Sequence, residues 1–81
     1  MSSQVLRPKD IIAASLDKAI IVKLKGSKIV RGILASFDQH LNLFLNNAGE
    51  IQEDGNIKKL GNIIVRGDNV ILLIFPTEKG E

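Results

Sequence analysis

The chain has no cysteine, tryptophan or tyrosine, only two prolines and three phenylalanines, and a single histidine among its 81 residues. Without cysteine there is no disulfide, and one histidine is too few for the usual zinc-ligand sets, so no metal or cofactor is expected. Long apolar runs are missing too. The longest, Val70 to Phe75, has six residues against the roughly 20 that a membrane-spanning helix requires. The N-terminal MSSQVLRPKD holds no apolar signal core, so the reading is a cytoplasmic protein without a membrane partner. Basic residues are absent from Gly32 to Ile57, which carries four acidic ones, whereas the chain through Arg31 carries seven basic and two acidic residues. That asymmetry predicts separate basic and acidic surfaces and a mild attraction for polyanions.

What remains is a small domain that is 44 % hydrophobic. A domain of this size buries only about 60 % of its unfolded surface. With crosslinks and metals excluded, association with copies of itself is the expected source of further stability.

Helical spacing occurs once. Pro8 suits a first helical turn, Asp10 complements the positive end, and Ile11, Ile12, Ala14, Ser15 and Leu16 supply a short apolar stripe. The rest reads as strand. Ala19 to Lys25 alternates, and Gly26-Ser27 is a Gly-first pair suited to a type II′ hairpin turn. Lys28 to Phe37 is long for one strand and carries Gly32 as a bending point. Leu41 to Gln52, Ile57 to Arg66 and Asn69 to Phe75 complete five strands, with turns at Glu53-Asp54-Gly55-Asn56 and at Gly67-Asp68, the last stopped by Pro76. The expected organisation is a tail of residues 1–7, one domain over 8–76 and a tail of residues 77–81. Its fold class is mainly β: a short N-terminal helix and a strongly bent five-stranded antiparallel sheet forming a partly open barrel.

In IIVRGDNVILLIF both faces of the last two strands are apolar. Strict alternation sets Val70, Leu72 and Ile74 against Ile71, Leu73 and Phe75. A strand buried on one face alternates with polar residues, so these strands are expected to be covered by a neighbouring subunit through edge-to-edge addition, or else by closure of the barrel itself.

Two polar clusters interrupt the apolar pattern. In SFDQHLNLFL, period two places Asp38, His40 and Asn42 opposite Phe37, Leu41, Leu43 and Leu45. Arg66-Gly67-Asp68-Asn69 forms the second cluster, at an expected hairpin tip. Imidazole and guanidinium planes stack on bases, an asparagine amide pairs with a base edge, and an aspartate beside an arginine holds its plane. Catalysis is not indicated, because no serine, cysteine or lysine stands at a recognisable spacing from His40. Nor do Gly26 and Gly32 form a phosphate loop. The tripeptide Arg66-Gly67-Asp68 matches an integrin ligand, but without a secretory signal that reading has no support.

The stretch IVKLKGSKIVRGILASFDQHLNLFLNNAGEI carries Gly26, Gly32, the Asp38-x-x-x-Asn42 loop and Glu50, and LGNIIVRGDNVILLIFP carries Arg66-Gly67-Asp68. On these two motifs, in this order, the chain from about Arg7 to Pro76 resembles the Sm and Sm-like (Lsm) family, its archaeal members most closely. The bacterial Hfq branch has a different second motif. The resemblance implies an open barrel of the OB or SH3 kind, joined through its fourth and fifth strands into a ring, usually of seven copies in archaeal members. It implies non-catalytic binding of single-stranded uridine-rich RNA, as scaffold or chaperone in RNA processing or decay, with proteins of those pathways as partners. The alternative is a ring or assembly hub that binds no RNA. By the same resemblance His40 and Arg66 sandwich a uracil, Asn42 reads its edge, Gly67 and Asp68 support the slot, and Asp38 braces the loop. Ser27 stands where a second glycine is common, a change expected to be harmless. Phe37 stands where many relatives have tyrosine, and Arg7 is the candidate for a second RNA contact near the helix.

Overall fold

The computed structural model describes residues 7–75. The expected tail residues 1–6 and 77–81, and the strand-ending Pro76, lie outside the described residues. Helix α1 spans Pro8–Ala14, with proline in its first turn. The Asp10 carboxylate accepts the Arg7 N–H at 3.0 Å, satisfying a donor at the helix start. Only Ile12 and Ser15 of this segment are buried. The helix is therefore a lid resting on the sheet by one residue per turn.

Five strands follow: β1 (Ala19–Leu24), β2 (Lys28–Phe37), β3 (Leu43–Ile51), β4 (Ile57–Val65) and β5 (Val70–Ile74). All neighbours pair antiparallel. Val22, Val30, Leu34, Leu43 and Leu45 point into a core that excludes water almost completely. β2 bends at Gly32, as its composition predicts. A Cβ there would lie 3.1 Å from the Leu45 Cβ and 3.2 Å from that of Ala48, and the β2–β3 register shifts between Arg31 and Ile33. The glycine is required by close packing of the folded-over sheet rather than by its dihedrals.

The strand order is β4-β3-β2-β1-β5. β4 and β5 are thus consecutive in sequence but lie on opposite edges, and the expected hairpin at Gly67-Asp68 does not exist. A 3₁₀ turn over Gly67–Asn69 carries the chain across the mouth of the barrel instead. Both edges remain unpaired, and Ile64 on β4 is 68 % exposed, Ile71 on β5 58 %. The barrel does not close over its last two strands.

Two further expectations are corrected. Lys23 pairs with Leu72 and Leu24 with Val70, which leaves Ile71 as an extra residue, a bulge. Val70, Leu73 and Phe75 consequently pack against the core while Leu72 and Ile74 face outward, in place of the strict alternation read from the sequence. In the β1–β2 turn, Gly26 (φ 85°) and Ser27 (φ 64°) both have positive φ, whereas a type II′ turn has it at its first central residue only. Ser27 is therefore not neutral: a left-handed non-glycine residue costs about 1–2 kcal/mol, which a second glycine would avoid.

Candidate functional site

The two polar clusters come from loops far apart in sequence and meet at one end of the barrel. Asp38 to Asn42 connects β2 to β3, and Arg66 to Asn69 connects β4 to β5. Leu43 pairs with Val65, so the two loops leave adjacent strand ends side by side.

The first loop is a turn built on one carboxylate. Asp38 Oδ1 accepts the backbone N–H of His40 at 2.9 Å and of Asn42 at 3.0 Å, while its Oδ2 accepts from Asn42 Nδ2 at 3.0 Å. Two backbone bonds close the turn, from Leu41 N–H to the Asp38 carbonyl at 3.0 Å and from Asp38 N–H to the Asn42 carbonyl at 3.2 Å. Leu41 takes a left-handed conformation, φ 62°, which a leucine adopts only when its surroundings enforce it. His40 and Asn42 are therefore placed by this turn and not by strand alternation, and β3 begins at Leu43 rather than at Leu41.

The second loop docks on the first through its backbone. Gly67 N–H donates to Asn42 Oδ1 at 2.8 Å. A Cβ on Gly67 would collide with the His40 carbonyl oxygen and lie 3.0 Å from that of Leu41, so only glycine permits this approach. The other end of the turn is tied down by Lys25 N–H donating to the Asn69 carbonyl at 2.9 Å. Beside Gly67, Arg66 Nη2 lies 3.6 Å from Asp68 Oδ2, with both side chains largely exposed. An exposed pair of this kind adds little stability. Its effect is to restrict where the guanidinium plane can lie.

Asn42 is the hinge of the arrangement. A carboxylate can only accept and a backbone N–H can only donate, so the two partners fix which end of the amide points where. Each end keeps one unused capacity: one N–H on Nδ2 and one lone pair on Oδ1. The exposed His40 and Arg66 side chains stand on the loops that hold it.

Hydrogen bonds from the Asn42 side chain first, then from the Asn42 and His40 backbone, hold the Asp38 carboxyl below its ordinary value of 3.8. A carboxyl that titrates lower in the ordered turn than in the open one stabilises the turn fully above the ordinary value. That contribution disappears as pH falls through the lower, ordered-state value. The Asn42 side-chain NH₂ resonances are accordingly expected to stay sharp and slowly exchanging at pH 5 and to collapse only below the ordinary value of 3.8. A collapse already complete at pH 5 would show that Asp38 does not organise the loop.

Sequence reasoning named Asp38, His40, Asn42, Arg66, Gly67 and Asp68, and the structure gathers all six in these two loops. It did not find Leu41, whose strained backbone nothing in an apolar side chain announces, or Lys25, which acts through its main chain. Arg7 sits at the helix start with its Nε 3.9 Å from Asp10 Oδ2, and Phe37 is half-buried against the core.

The LSM domain model matches residues 10–75. The snRNP Sm-like protein of Pyrococcus furiosus is 50 % identical over 74 residues, covering 91 % of this chain and 96 % of the relative. That of Methanosarcina barkeri is 46 % identical over 65 residues, covering 80 % and 90 %. Among solved structures, a heptameric archaeal Sm protein superposes with a TM-score of 0.76 at 45 % identity, over 82 % of this chain and 96 % of that one. The Pyrococcus abyssii Sm protein in complex with a uridine heptamer superposes with a TM-score of 0.81 at 43 % identity, over 88 % and 100 %. With its five-stranded bent sheet, its N-terminal helix and both sequence motifs in place, this chain belongs to the Sm-like (LSM) family.

Proposed function

We propose that the protein binds single-stranded uridine-rich RNA in the slot between its two loops, as a homo-oligomeric ring of seven copies closed by β4 of one subunit against β5 of the next. The observation that carries the base slot is the orientation of Asn42: its amide is fixed by Asp38 and Gly67 and leaves one donor and one acceptor free. Uracil presents an N–H beside a carbonyl, the complement of that pair. Cytosine offers an amino group and a bare nitrogen on the same edge, which meets the fixed amide with like against like. His40 and Arg66 supply the stacking faces, Asp68 restrains the arginine, and Asp38 and Gly67 hold the reader in place. The two unpaired edges and their exposed isoleucines support the ring. The protein named as a uridine-heptamer complex, and the heptameric one, support both parts by likeness.

The family works by binding rather than by catalysis, and nothing in the slot activates a nucleophile. The chain's role is that of a scaffold or chaperone in RNA processing or decay, in the cytoplasm. The test is a competition titration with oligouridine, oligocytidine and oligoadenosine on wild type, His40→Ala and Arg66→Ala. Stacking contributes about 1–3 kcal/mol per base, repeated in every subunit, so each variant is expected to lose most of its oligouridine affinity. Equal binding of the three homopolymers by wild type, or wild-type affinity in both variants, would favour a ring that serves as an assembly hub without RNA.

A further inference from the structure

A cleft of about 230 Å³ opens where β4 faces the start of the β1–β2 hairpin. Its walls are apolar, from Leu24, Val30 and Leu60, and Lys28, Glu50 and Arg66 stand around them. Arg66 is shared with the base slot, so the two cavities adjoin. Glu50 lies opposite Val30 on one side and Lys58 on the other in the sheet register. It is half-buried, yet its carboxylate has no hydrogen bond or ion pair among the described residues. A carboxylate that is part-way out of water and unpartnered is unfavourable unless something else satisfies it.

The chemistry of the missing partner follows from the group. A carboxylate is acceptor-only, and its two oxygens match two parallel N–H donors. Arginine of another protein has such a fork, but Lys28 and Arg66 line the same cleft and repel a cationic guest. Those two cations favour a guest that brings a phosphate. The volume, below the roughly 300–1,000 Å³ typical of drug-sized pockets, suits a single planar heterocycle. Guanine alone among the RNA bases carries two adjacent N–H donors, N1–H and N2–H₂, on its Watson–Crick edge. Adenine and cytosine set one amino group beside a bare acceptor nitrogen, and uracil flanks its N–H with carbonyls, so each brings an acceptor against the carboxylate.

We propose that this cleft is a second base site, which takes guanine through Glu50 from a nucleotide next to the one held at Asn42. The inference rests on the RNA-binding reading above and extends it: the preferred RNA is uridine-rich with guanosine interspersed, not uridine alone. Leu24, Val30 and Leu60 sandwich the ring, Lys28 and Arg66 face the backbone phosphates, and Glu50 supplies the discrimination.

Two measurements test it on the full chain. In amide spectra, guanosine 5′-monophosphate is expected to shift the signals of Leu24, Glu50 and Leu60 in a saturable way, and uridine 5′-monophosphate those of His40 to Asn42 and Gly67. In anisotropy titrations, an alternating uridine-guanosine oligonucleotide should bind about tenfold more tightly than oligouridine of equal length, the usual size of a charge-assisted hydrogen-bond effect. Glu50→Ala and the isosteric Glu50→Gln should both erase that gain and leave oligouridine binding as it was. The proposal is overturned if guanosine monophosphate leaves the cleft signals in place, or if the gain survives in both variants. A response to guanosine monophosphate with none to uridine monophosphate would instead overturn the Asn42 slot and leave the cleft standing.

Discussion

Ile64→Lys and Ile71→Glu are each expected to convert the oligomer into the 8.9 kDa chain, as read by light scattering at micromolar concentration. Ile64 lies on the free edge of β4 and Ile71 on the free edge of β5, 68 % and 58 % exposed in the isolated chain. Exposed apolar edges of this kind invite strand addition, and burying a whole isoleucine side chain contributes about 1.5–3 kcal/mol. A lysine or glutamate in the same place must be desolvated at a penalty of several kcal/mol. Since every junction of a ring uses one β4 and one β5, a single substitution recurs at every junction. Leu73 distinguishes this explanation from general loss of stability. It pairs with Val22 and packs against the core, so Leu73→Glu is expected to lower the melting temperature through unfolding of the subunit. An unchanged mass for both isoleucine variants would place the subunit contact elsewhere.

The contrast between Ile71 and Leu73 also shows where sequence pattern loses its hold. Alternation in VILLI predicts that Ile71 and Leu73 share a face, and without the bulge they would. The bulge arises because β5 must follow β1 around a curved barrel, a requirement set by the whole sheet and invisible in five residues. The same holds for β4 and β5 as a pair. Gly67-Asp68 has the local chemistry of a hairpin, but β1 offers β5 its partner, so the topology overrides the turn signal.

Gly32 was legible for a different reason. A single glycine inside an otherwise β-branched strand has little local use, so its presence signals packing, and Leu45 and Ala48 indeed close over it. The site residues were legible as types, since polar side chains in an apolar run stand out. Their geometry was not. Asp38, His40 and Asn42 follow period two by coincidence of spacing, while a turn through left-handed Leu41 actually positions them.

Gly67→Ala is expected to abolish the base slot while leaving the ring intact. Gly67 does not have positive φ, so alanine meets no dihedral penalty there, and its effect is steric alone. The added Cβ is driven into the His40 carbonyl, and relief requires the second loop to move away from the first. That movement breaks the bond from Gly67 N–H to Asn42 Oδ1. The amide then loses the partner that fixed its orientation, and a part-buried acceptor left unsatisfied costs about 1–3 kcal/mol. Oligouridine affinity should therefore fall by at least tenfold at each site, and by more when all subunits contribute to one strand. Asn42→Ala removes the reader directly and unties Gly67 as well, so it should lose affinity together with the preference for uridine over cytidine. Edge strands are untouched in both variants, and native mass spectrometry should return the wild-type assembly. Wild-type oligouridine affinity in Gly67→Ala, with the assembly intact, would show that contact between the two loops is not what shapes the slot.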